Sequence, residues 1–103
     1  MSNVDDILQT MRERFNPKAA AGLDVVFQFV ITDSDSYYLA VKDGACDLQV
    51  GEASDPDVSL ITDKDTMKGI IRGETSGMQA FMSGRLRTEG NMMLAMKLGD
   101  LFP

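Results

Sequence analysis

The chain has 103 residues, 44% apolar and 25% charged, with nine Gly, three Pro and no Trp, which suffices for one buried core and excludes a second independent one or a disordered chain. Ten basic against sixteen acidic side chains give a net charge of −6, so the surface repels phosphate backbones and no nucleic-acid partner is expected. The absence of histidine removes imidazole acid–base catalysis, histidine triads and histidine zinc sites, and neither a cofactor nor a metal is expected.

Val4 to Phe15 places apolar residues at 4, 7, 8, 11 and 15, the rhythm of an amphipathic helix. Ser2 or Asn3 is positioned to cap it, Asp5 and Asp6 suit its first turn and Arg12 and Arg14 its last, and Asn16-Pro17 ends it. Asp24 to Thr32 is β-branched and aromatic, with Val25, Phe27, Phe29 and Ile31 on one face, and predicts a strand that this helix covers. After the turn Asp33 to Ser36, Tyr37 to Lys42 alternates as a second strand, Asp43-Gly44 is a hairpin signal, and Ala45 to Glu52 turns Cys46, Leu48 and Val50 inward. A fourth strand, Asp57 to Thr62, leads into a helix, Lys64 to Arg72, capped by Thr62 or by Asp63, with Asp65 completing a T-x-x-D box. A short helix from Ser76 to Met82, a fifth strand from Arg85 to Glu89 and a last helix from Met92 to Leu98 behind Gly90-Asn91 complete the reading. The fold class is α+β: five strands, mostly antiparallel, with helices over one face, and the strand–helix–helix–strand passage predicts one parallel crossover.

Little in the sequence suggests reaction chemistry. Cys46 lies on an inward strand face with no histidine to activate it, and it cannot form an internal disulfide. Asp33-x-Asp35 starts like a calcium loop but continues with Tyr38 and Gly44 where Gly and Glu are needed, so it reads as a solvated turn. An enzyme is not expected. No basic-then-apolar leader opens the chain, and no apolar run approaches the roughly 18 residues of a membrane span. A cytoplasmic domain spanning residues 1–103 is the expectation.

Two distributions carry more information. Residues 1 to 63 hold four basic and twelve acidic side chains, whereas residues 64 to 103 hold six and four. Six of the eight methionines also fall after residue 64, and Met adapts to varied apolar ligands or partners. The stripe Lys64, Lys68, Arg72 reads first as a solvated face, with Lys68 and Arg72 as candidates for contact with an anionic headgroup.

The run from Ser83 to Leu98, S-G-R-L-R-T-E-G-N-M-M-L-A-M-K-L, resembles the hallmark of sterol carrier protein 2 domains: G-[KR]-[LI]-[KR], a strand ending in G-[ND], and a last helix with A-x-K-[LF]. Val41-Lys42-Asp43-Gly44 is similar to that family's hairpin, Pro56 to Leu60 to its fourth strand, and Gln79-Ala80-Phe81 to its second crossover helix. The resemblance implies a five-stranded sheet with a hydrophobic cavity that binds a fatty acid, a fatty acyl-CoA, a phospholipid or a sterol without catalysis and with at most transient membrane contact. It places Met67, Ile70, Ile71, Met78, Phe81, Met82, Met93 and Met96 in the cavity wall and Phe102 at its mouth. Many members continue beyond the last helix, so this cavity is expected to be open or closed by a second copy. The competing expectation is an interaction or homodimerisation module that uses the Met-rich surface with no lipid.

Overall fold

Local signals fix most of the sheet. In the computed structural model, which describes the backbone of residues 3–101 and the side chains of 9–97 and of Leu101, β1 (Asp24–Ile31) is followed by β2 (Tyr37–Lys42) and β3 (Ala45–Val50). β2 pairs antiparallel with β1 on one side and with β3 on the other. The β2–β3 turn is left-handed at Asp43 (φ 54°) and Gly44 (φ 77°), the conformation that an Asp-Gly hairpin requires. β4 (Val58–Thr62) and β5 (Arg87–Gly90) complete the order β3-β2-β1-β4-β5. The parallel pair joins β1 to β4, while β5 returns antiparallel to β4. The helical passage before β5 therefore does not make the parallel crossover expected of it. Asp57 makes the β1–β4 pairing, its amide donating to Val26 O at 2.9 Å and its carboxylate accepting from Val26 N at 2.8 Å.

Register decides which face is covered. Phe27 aligns with Leu39 and Val58, and Phe29 with Tyr37 and Leu60, so the apolar members of each strand point to one side. They pack with Met11, Ala20, Met67, Ile71, Ala80 and Leu101 from the helices. On the other face Gln28 is buried, its amide nitrogen donating to Tyr37 O and Gly51 O and its oxygen accepting from Ala53 N. This anchors the link from β3 to β4. On the edge strand β3 the inward alternation is only partly covered: Leu48 is buried, Cys46 half-buried and Val50 exposed.

Helix α1 (Asn3–Arg14) packs on α3 (Lys64–Arg72); the side chains of 4 to 8 and the Ser2 cap lie outside the described residues. Asn16 does more than end α1. Its side chain accepts from Lys18 N and starts α2 (Pro17–Ala20), a four-residue helix with Pro in its first turn. Asp63, not Thr62, caps α3 by accepting from Thr66 N at 3.0 Å, and Thr66 Oγ1 donates back at 2.6 Å. Thr62 instead donates to Arg85 O at 2.8 Å, tying β4 to the segment that leads into β5. α4 (Gly77–Met82) and α5 (Met92–Leu101) complete the helical side, and Asn91 accepts from Met93 N at 3.0 Å at the start of α5.

Candidate ligand-binding cleft

Over the β4–β5 end of the sheet the helices stand apart. Leu60 of β4, Met67 of α3 and Leu86 just before β5, all buried, form the floor of a cleft of about 550 Å3. Ile70 of α3, Met78 and Phe81 of α4, and Met92, Ala95 and Met96 of α5 form its walls. Gly73, Thr75, Ser76 and Gly77 close one end, and Thr88 adds a hydroxyl from β5.

Each wall has a local cause. α3 stops at Gly73, left-handed at φ 78°, and the chain folds back so that Glu74 N and Thr75 N both donate to Gly69 O. That return is tight at Gly69, where an added Cβ would lie 2.5 Å from Thr75 Oγ1 and displace the Thr75 side chain. Ser76 caps α4 through Gln79 N, and Ala80 turns its small side inward. In α5 the i, i+3, i+4 set Met92, Ala95, Met96 faces the cleft, and Thr88 Oγ1 donates to Met92 Sδ at 3.1 Å, joining β5 to the first turn.

Five of the residues predicted from sequence, Met67, Ile70, Met78, Phe81 and Met96, come together in this lining. Ile71 does not reach it: it is 1% exposed in the core. Met82 and Met93 are 78% and 77% exposed and lie outside the lining. Ala80 fixes the buried side of α4 and leaves Met82 on its outer flank, while half-buried Leu94 turns Met93 outward. Lys68 and Arg72 lie on α3 outside the lining, Lys68 half-buried and Arg72 exposed. Phe102 lies outside the described residues. Sequence reasoning passed over the floor residues Leu60 and Leu86, the polar end and the pair Met92 and Ala95. Strand alternation through Val58, Leu60 and Thr62 held the signal for Leu60, and the i, i+3, i+4 spacing held it for Met92.

Among the described residues the lining carries no titratable side chain, so these residues offer a ligand shape, apolar surface and a few hydroxyls. Cys46 is remote from it on β3, its thiol pushed up by burial and drawn back by the Arg12 charge. Among the described residues no three His, Cys, Asp or Glu side chains gather as metal ligands. No described helix is long and apolar enough to cross a membrane.

A mixed five-stranded sheet, helices on one face and an apolar cleft between them define an α+β protein with the architecture of a small-ligand carrier domain. The chain belongs to the SCP-2 sterol transfer family, whose sequence model matches residues 4–103. It is 29% identical over 101 residues to "Hydroxysteroid dehydrogenase-like protein 2" of Bos taurus, covering 95% of this chain and 24% of that protein. It is 34% identical over 71 residues to "Peroxisomal multifunctional enzyme A" of Dictyostelium discoideum, covering 68% of this chain and 16% of that one. The chain thus spans about a quarter or less of these relatives. Among solved structures, sterol carrier protein 2 like 2 of Aedes aegypti superposes with a TM-score of 0.75 at 22% identity, covering 96% of this chain and 95% of that one. The sec-alkylsulfatase Pisa1 of Pseudomonas sp. superposes with a TM-score of 0.78 at 21% identity over 86% of this chain and 14% of that one. The family and fold indicate lipid binding or transfer in general.

Proposed function

We propose that this chain binds a long-chain lipid, drawn from fatty acids, fatty acyl-CoA, phospholipids or sterols, in the β4–β5 cleft and transfers it without chemical change. The supporting observation is the cleft itself: about 550 Å3, with Leu60, Met67, Ile70, Met78, Phe81, Leu86, Met92, Ala95 and Met96 presenting apolar surface. That volume falls in the range of small-molecule sites, roughly 300–1,000 Å3. Burial of an acyl chain contributes about 0.8 kcal/mol per methylene, and methionine walls adjust to chains of different shape. A single domain suffices for this role, and the unpaired Cys46 suits the reducing cytoplasm.

The test is uptake of a fluorescent fatty acid from solution. Phe81→Glu and Met96→Glu are each expected to weaken it at least tenfold, about 1.4 kcal/mol, with the circular dichroism spectrum unchanged. Wild-type uptake that both variants leave intact would place the lipid elsewhere. Solvent extraction and mass spectrometry of lipid carried through purification identify the class of ligand.

A further inference from the structure

Four thioethers share the cleft. Met67 of α3 lies in its floor, and Met78 of α4 with Met92 and Met96 of α5 stand in its walls. Exposure separates them: Met67 is fully buried, Met78 and Met96 are each more than half exposed, and Met92 is exposed to a lesser degree. Met82 and Met93 belong to the same two helices and are more exposed still, yet lie outside the lining. The molecule thus holds one methionine closed to solvent, a set that a ligand in the cleft would cover, and a pair that it would not.

A thioether that water reaches is open to hydroperoxides dissolved in it. A lone pair of Sδ attacks one peroxide oxygen, an S–O bond forms and the O–O bond breaks. The proton on the transferred oxygen passes to the departing one, which leaves hydrogen peroxide as water. Sulfur is oxidised by two electrons and the peroxide is reduced by two. The product, methionine sulfoxide, is polar where the thioether was apolar.

In this cleft such a group finds few partners. Among the described residues the lining has three hydroxyls, those of Thr75, Ser76 and Thr88, and no charged side chain. Ser76 Oγ is engaged at the cap of α4, and Thr88 Oγ1 donates to Met92 Sδ at 3.1 Å. That bond occupies one lone pair of Met92, which together with its lower exposure makes Met78 and Met96 the readier sites. They stand on α4 and α5, two different walls. A sulfoxide at each would set a polar group against an acyl chain, and a polar group removed from water without a partner is costly.

We propose that Met78 and Met96 form an oxidation site for hydroperoxides that closes the cleft to lipid, and that a bound acyl chain shields both. The empty protein is switched off while the loaded one is spared. This rests on the cleft being the lipid site. Methionine sulfoxide reductases restore the thioether, one enzyme for each sulfoxide epimer, as the oxygen leaves as water and a reductase dithiol becomes a disulfide.

The experiment adds hydrogen peroxide to the full chain with and without saturating palmitate and locates sulfoxide residue by residue from fragment ions in mass spectrometry. Palmitate is expected to slow oxidation of Met78 and Met96 about tenfold, to leave Met82 and Met93 unaffected, and Met67 stays reduced throughout. Oxidised protein is expected to take up fluorescent fatty acid about tenfold less well, with its circular dichroism spectrum unchanged, and to recover after treatment with the two reductases. Met82→Leu with Met93→Leu keeps both the uptake and its loss on oxidation. In the triple variant Met78→Leu, Met92→Leu, Met96→Leu, uptake measured before and after peroxide is the same. Uptake that survives sulfoxide at Met78 and Met96, palmitate protection that is absent or extends equally to Met82 and Met93, a triple variant as sensitive as the wild type, or uptake lost only together with the circular dichroism spectrum overturns the proposal. If Phe81→Glu and Met96→Glu leave uptake intact, the ligand site and the switch fall together. If both variants lose uptake and sulfoxide does not lower it, the switch alone falls.

Discussion

Tyr37 is fully buried, stacked on Phe29 with ring centroids 4.9 Å apart, and its hydroxyl has no hydrogen-bond partner among the described residues. A hydroxyl desolvated in this way costs about 1–3 kcal/mol, so Tyr37→Phe is expected to raise stability by about 1 kcal/mol in urea denaturation. A destabilised variant would show that the hydroxyl is engaged. Burial also drives its ionisation far above the ordinary phenol range. The folded state therefore favours the neutral ring: this stabilisation is complete below about pH 10 and is lost as pH rises beyond it. Phenolate absorbance should show Tyr37 ionising only together with unfolding. That Tyr37 points inward was legible in its alternation with Leu39 and Val41; that its hydroxyl would find no partner was not, since partners come from other elements. Met93 shows the same limit. The sequence says that Met92, Met93 and Met96 cannot share one face, and only the packing of Leu94 decides which of them turns outward.

At the scale of elements, short-range chemistry was the most readable. The Asp43-Gly44 turn and the bounds of β2 and α3 follow from local residues. The parallel pairing was misplaced because hydrophobic period sets which face a strand buries but not which neighbour it takes. α2 was missed because Asn16-Pro17, a stop signal for one helix, is equally a start signal for the next. The cap of α3 lends itself to measurement. Hydrogen bonds from Thr66 hold the Asp63 carboxyl below its ordinary range, so the folded state favours the charged form. Its contribution is present above the unfolded value near pH 4 and is lost as pH falls further. Asp63→Ala is expected to cost about 1 kcal/mol at neutral pH, and Asp63→Asn, which keeps the accepting oxygen, much less. Because α3 supplies Met67 and Ile70 to the cleft, a frayed first turn should also weaken lipid uptake. Equal stability of the Ala variant and the wild type would remove the cap from this account.

At the scale of the whole molecule, family and fold were legible because the Ser83 to Leu98 run and the strand alternation point to the same architecture. The extent of the cleft was not, because Leu60, Leu86 and Met92 come from three separate elements that only the tertiary fold brings together. The fold also imposes an order of assembly. β1 is the middle strand, and Phe27 pairs with Leu39 on one side and with Val58 on the other. As the chain leaves the ribosome, the β1–β2–β3 meander can close early through its short turns, but one edge of β1 stays open until Val58 to Thr62 has been made. A fragment ending at Asp57 is expected to self-associate through that edge, as read by sedimentation, and a soluble monomeric fragment with a strand spectrum would contradict this. The pairing that gives the finished sheet its centre thus leaves the half-made chain with an uncovered edge, and the interval before β4 emerges is when nascent chains are most exposed to aggregation.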